Sequence, residues 1–81
     1  MTENKKPATI TEQIVMNLSL EHAEVSSNIL VLDNFMKTDK YQKLNVKEQR
    51  LMVIQYNAMQ VYADTLLQRI DEIMGRMNQE V

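Results

Sequence analysis

Two stretches of heptad-spaced apolar residues, separated by a short polar segment, constrain this chain more than any other feature. Val15, Leu18, Val25, Ile29, Leu32 and Met36 follow alternating steps of three and four residues, with Thr11 and His22 at the two polar positions. The second stretch runs Met52, Tyr56, Met59, Ala63, Leu66, Ile70, Ile73 and Met77, with every position apolar or aromatic. Steps of three and four keep side chains on one face of a helix, so each stretch predicts an α-helix with a continuous seam. No strand alternation or glycine-turn hairpin signal competes. The reading is an all-α, two-helix antiparallel hairpin.

The boundaries follow from capping chemistry. Thr9 with Glu12 three residues later has the pattern of a capping box, and Thr11 is an alternative cap. Asn45 is a good N-cap, with Glu48 as its reciprocal partner. The expected organisation is a disordered arm over residues 1–8 followed by a single helical-hairpin domain over 9–81. Within it, helix 1 spans about 10–37, the connection 38–45 and helix 2 about 46–78. At 1.5 Å per residue the arms are about 40 and 50 Å long. Tyr41 and Leu44 are expected to fold back over the helix ends, and the Arg76–Val81 end to fray. Gly75, the only glycine, lies off the second seam.

A lone hairpin cannot hide the apolar surface this sequence carries. On helix 1, Met16, Leu20, Ala23, Leu30 and Val31 lie away from the seam. On helix 2, Ile54, Ala58 and Val61 lie opposite Met52, Tyr56 and Met59. Each large side chain of this kind gains about 1.5–3 kcal/mol on full burial, and chains below 70–80 residues commonly need oligomerisation to complete a core. The expectation is therefore a homo-oligomeric helical bundle, a dimer or higher, with Met16, Leu20, Leu30, Met52, Ile54, Tyr56, Met59 and Val61 at its interfaces. The methionines of the seams read as adaptable core filler.

Composition excludes many activities. The 81 residues contain no cysteine and no tryptophan, one glycine and one proline. Disulfide frameworks, thiolate metal sites and glycine-rich phosphate loops are thereby ruled out. No apolar run approaches a membrane span, and no apolar stretch follows the charged N-terminus as a secretory signal requires. A cytoplasmic protein is expected.

His22 is the sole histidine. A carboxylate–histidine ligand pair on one helix needs an acid three residues earlier, where Ser19 stands. A polar seam position that sets register is the better account. Ser19, Ser26 and Ser27 have neither a glycine elbow nor a dedicated base. No catalytic residue, metal site or cofactor is expected, and nothing in the sequence requires an enzyme.

Charge gives two candidate ligand sites. The chain has nine basic and eleven acidic residues, for a net charge of −2. Lys37, Lys40, Lys43, Lys47 and Arg50 nevertheless cluster against only Asp39 and Glu48. With Tyr41 among them at the start of helix 2, they form a candidate anion site, or a loop kept soluble by lysine. The second candidate is the row Gln55, Tyr62, Arg69 and Arg76, spaced by seven beside the helix 2 seam. It either makes inter-helix salt bridges to Glu21 or Asp33, or lines a groove in which Arg69 meets phosphate and Tyr62 a base. General nucleic-acid binding is disfavoured by the overall charge.

Leu32, Phe35, Tyr41, Leu44, Glu48-Gln49, Leu51-Met52, Gln55, Met59, Tyr62, Leu66 and Arg69-Ile70 together resemble a set of small tailed-phage and prophage proteins, over about residues 32–70. The resemblance implies origin rather than mechanism. At the level of size, helicity and assembly, the chain is also similar to the phage anti-CBASS and anti-Thoeris sponge proteins. Those sequester cyclic or ADP-ribose-derived nucleotide signals between protomers. The analogy implies a nucleotide ligand of that type, and it carries no site residue across. The competing expectation is a protein–protein adaptor or inhibitor that docks a host or phage partner through its apolar helix faces.

Overall fold

The computed structural model describes residues 9–79, with side chains through Met77. Residues 1–8, expected as a disordered arm, and the last two residues lie outside the described part. Three helices follow in order: α1 (Ile10–Met36), α2 (Asp39–Gln42) and α3 (Val46–Gln79). Helix α1 begins on a complete capping box. The Glu12 amide donates to Thr9 Oγ1 at 3.1 Å, and the Thr9 amide donates to Glu12 Oε1 at 2.9 Å. At the start of α3, the Glu48 amide donates to Asn45 Oδ1 at 2.7 Å.

Within the connection expected over 38–45, Asp39–Gln42 form a helical turn of their own. Thr38 makes this possible. Its backbone is extended, its hydroxyl donates to the Phe35 carbonyl at 2.6 Å, and it accepts from the Tyr41 amide at 3.3 Å. One residue thus closes α1 and caps α2. No described residue has a positive φ, so the chain reverses through right-handed bends around α2, without the left-handed turn that favours glycine. Helix α3, expected over about 46–78, runs over Val46–Gln79. Gly75 has open space around it, so its cost there is only its intrinsic helix propensity.

The long helices pack along their heptad seams. Leu18 and Val25 of α1 meet Ala63, Leu66 and Ile70 of α3 in the buried core, and Val15, Ile29, Met59 and Ile73 pack against it. All nine are seam positions. Ion pairs contribute nothing to this contact among the described residues: Asp33–Lys37 at 3.1 Å and Glu72–Arg76 at 3.9 Å each lie within one helix. The expected bridges from the Arg69 row to Glu21 or Asp33 are therefore not formed. Asp33 projects from the opposite edge of α1, one turn from Lys37, which satisfies it locally.

The molecule measures 58 × 31 × 15 Å. Its shortest dimension is little more than the width of one helix, so the hairpin is a single layer. A side chain that points out of a single layer on either side has nothing of its own chain to cover it. Among the described residues, five hydrophobic ones are buried, whereas fourteen large ones are exposed. The exposed set includes Met16 at 58%, Leu20 at 68% and Leu30 at 60% on α1, with Ile54 at 55% and Val61 at 67% on α3.

Of the eight residues expected at oligomer interfaces, these five face outward. Met52, Tyr56 and Met59 instead belong to the inner seam, where all three are half-buried. The physical reason is register. The seam turns Met59 against the core, and Met52 lines the same α1–α3 groove.

Candidate functional site

The site is built from a groove along one edge of the seam, near the connection. Asn28, Val31, Leu32 and Phe35 of α1 and Met52, Gln55 and Met59 of α3 line a hollow of about 430 Å³. That volume suits a small molecule. The walls are apolar, and the two amides of Asn28 and Gln55 can both donate and accept hydrogen bonds. Gln55 begins the row that continues to Tyr62 and Arg69 along the same edge of α3. Residues seven apart are about 10 Å apart along a helix. Tyr62 is 43% exposed, and Arg69 makes no ion pair among the described residues. An exposed aromatic ring and a guanidinium without an ion pair thus follow Gln55 along this row, about 10 and 20 Å further on.

The connection behaves differently from the expectation. Tyr41 is held in place: its hydroxyl donates to the Gln49 carbonyl at 3.3 Å, and its ring meets Phe35 edge-on at 6.4 Å between centroids. Gln49 returns the contact, with Nε2 donating to the carbonyls of Tyr41 at 2.8 Å and Gln42 at 3.3 Å. Tyr41 is therefore a structural clasp that supports Phe35 at the groove. Lys37 is taken up by Asp33. Lys40, Lys43, Lys47 and Arg50 are exposed, without ion pairs among the described residues. The α3 N-terminus, which was to supply free amides, already spends the Glu48 amide on Asn45.

Gln49→Ala removes two hydrogen bonds to the carbonyls at the end of α2, at about 1 kcal/mol each. The expected outcome is a loss of about 1–2 kcal/mol in urea unfolding, with amide exchange accelerated first at residues 39–44. Unchanged protection there would show that the clasp does not hold α2.

His22 is half-buried on the opposite edge of the seam. It lines a shallow hollow of about 330 Å³ with Ser26, Ile29, Gln60, Ala63, Asp64 and Leu67. No group of three or more His, Asp or Glu side chains among the described residues is placed to hold a metal ion.

Sequence reasoning singled out the row Gln55, Tyr62 and Arg69 by its seven-residue spacing, and of these Gln55 lines the groove. It missed Asn28, Val31, Leu32 and Phe35 as a wall, because a groove between two helices depends on which edge of each faces the other. The signal available was the resemblance itself, which contains Leu32, Phe35 and Gln55 without assigning them a place.

The fold and groove define a class: a single-layer helical hairpin with an open, amide-bearing groove and apolar faces that its own chain does not cover. Within that class, the chain belongs to the Sequestin family, whose model matches residues 12–72. The match takes in the core of the seam, the connection, the groove, and Tyr62 and Arg69 beyond it. No curated protein and no solved structure matches the chain. No described helix is long and apolar enough to cross a membrane.

Proposed function

We propose that this protein is a non-enzymatic sequestering protein that binds a nucleotide immune signal, of the cyclic-nucleotide or ADP-ribose type, between copies of itself. The observation that carries the proposal is the Asn28–Gln55 groove, with exposed Tyr62 and the unpaired Arg69 one and two heptads further along the same row of α3. Amides can read the edge of a base, an aromatic ring can stack on it, and a guanidinium can hold phosphate in a bidentate contact. The family name, Sequestin, denotes sequestration and agrees with this reading.

A groove open along its length leaves much of a bound nucleotide in water, whereas tight small-molecule sites cover most of the ligand surface. A second hairpin laid over the exposed apolar rows would supply the missing wall. On the resemblance to phage proteins, the setting proposed for this sequestration is the cytoplasm of an infected bacterium, where it would counter host defence.

Isothermal titration of the purified protein against cyclic oligonucleotides and ADP-ribose derivatives tests the proposal. Saturable heat with at least one of them, at a stoichiometry of one ligand per integral number of chains, is the expected result. Flat heats throughout would remove the nucleotide reading.

The outward row Met16, Leu20 and Leu30 on α1 favours a second reading, an adaptor that docks a partner helix on that face. The same titration separates the two, since an adaptor has no use for the groove.

A further inference from the structure

We infer that the outward face of α3 pairs antiparallel with the same face of a second copy of this chain, with Arg50 of each copy meeting Asp64 of the other. The inference rests on the self-association in the proposed function and on none of its ligand chemistry.

A third heptad row runs along α3 opposite its buried seam. Ile54, Ala58 and Val61 follow steps of four and three, and Ile54 and Val61 are 55% and 67% exposed. Small Ala58 between two β-branched residues permits close approach of two helices at its level. The row also has a charge polarity. On this outward side of α3, Lys47 and Arg50 precede the apolar segment, whereas Asp64 and Asp71 follow it. A parallel pairing would set like charges side by side. An antiparallel pairing sets the basic end of each helix against the acidic end of the other, which is the charge complementarity a second copy supplies by symmetry.

Register follows from the same residues. Placing Ile54 level with Val61 of the second copy puts the two-fold axis between Asn57 and Ala58. Arg50 then falls within one residue of the level of Asp64 of the second copy. Arg50 and Asp64 are 14 residues apart, close to four turns, so they lie on the same edge of α3. Same-edge residues become neighbours across an antiparallel two-fold pair. Arg50 has no ion pair among the described residues. Asp64 accepts from Gln68 Nε2 at 2.7 Å through Oδ2, and its other carboxylate oxygen is left for a guanidinium. On the other edge, the same register carries Tyr62 of the second copy to within two residues of the level of Leu51, beside the groove.

The test is a charge exchange read by sedimentation velocity over a range of protein concentrations. Arg50→Asp and Asp64→Arg each place like charges across the pair twice, and each is expected to weaken assembly at least tenfold. The double variant R50D/D64R restores opposite charges and is expected to recover assembly to within a few-fold of the unaltered protein. Both positions are exposed, and circular dichroism should show full helicity in all three. Single variants that assemble normally, or a double variant that stays dissociated while helical, would overturn the pairing. Dissociation by Leu20→Asp on α1 with insensitivity at 50 and 64 would overturn it in favour of the α1 face. An unaltered protein that stays monomeric at tens of micromolar would overturn the pairing together with the shared-site reading. Assembly indifferent to positions 50 and 64 removes this pairing alone.

Discussion

Leu66→Ala is expected to cost about 3–4 kcal/mol, near the upper range for truncating a fully buried leucine. Leu66 is 1% exposed and sits centrally among the five buried side chains. A single-layer hairpin has few second neighbours to collapse into the space left behind, so the cavity term is kept in full. Small domains have total stabilities toward the lower end of 5–15 kcal/mol, so the loss removes a large share of the total. Urea unfolding followed by circular dichroism at one fixed protein concentration is the measurement, because assembly makes the midpoint depend on concentration. Leu67→Ala is the comparison. Leu67 is 44% exposed, and its truncation should cost less than about 1 kcal/mol. Equal losses at the two positions would show that the seam is not where the stability resides.

Arg69→Ala and Tyr62→Ala are expected to lower nucleotide affinity by about 10- to 100-fold each, with helicity unchanged. Hydrogen bonds to charged groups contribute about 1.5–3 kcal/mol, and stacking of a base on an aromatic ring about 1–3 kcal/mol. Both side chains stand on the exposed edge of α3 and contribute nothing to the buried core. Lys40→Ala and Lys43→Ala separate this groove from the connection as the phosphate site. The groove reading expects their affinities to stay within about two-fold of the unaltered protein, apart from a general salt-dependent change. Losses confined to Lys40 and Lys43 would move the site to the connection and free Tyr62 and Arg69 of any role.

Much of the fold is legible along the chain. Every buried residue, from Leu18 to Ile70, stands on one of the two heptad seams, because three-and-four spacing specifies a helical face whatever that face packs against. The caps at Thr9 and Asn45 are equally local, since a side chain and an amide three residues away need no other partner. The site is only half legible. Gln55, Tyr62 and Arg69 share a periodicity on one helix, so their common edge could be read. Phe35 and Asn28 approach that edge from another helix, and no spacing along the chain records the distance between them. Tyr41 is a further case: its contacts with Gln49 and Phe35 depend on the folded connection, which an aromatic ring among lysines does not record.

Periodicity and capping by themselves determined two long helices, the face each turns inward, and a surplus of apolar side chains beyond what those faces use. These are properties of consecutive residues, and helix geometry converts them directly into direction. Tertiary structure alone decided the clasp between Tyr41 and Gln49 and the groove that joins Asn28 to Gln55. Each of these depends on how two helices are rotated and offset against one another. That offset is set by the summed packing of all the seam side chains, which no short stretch of sequence contains.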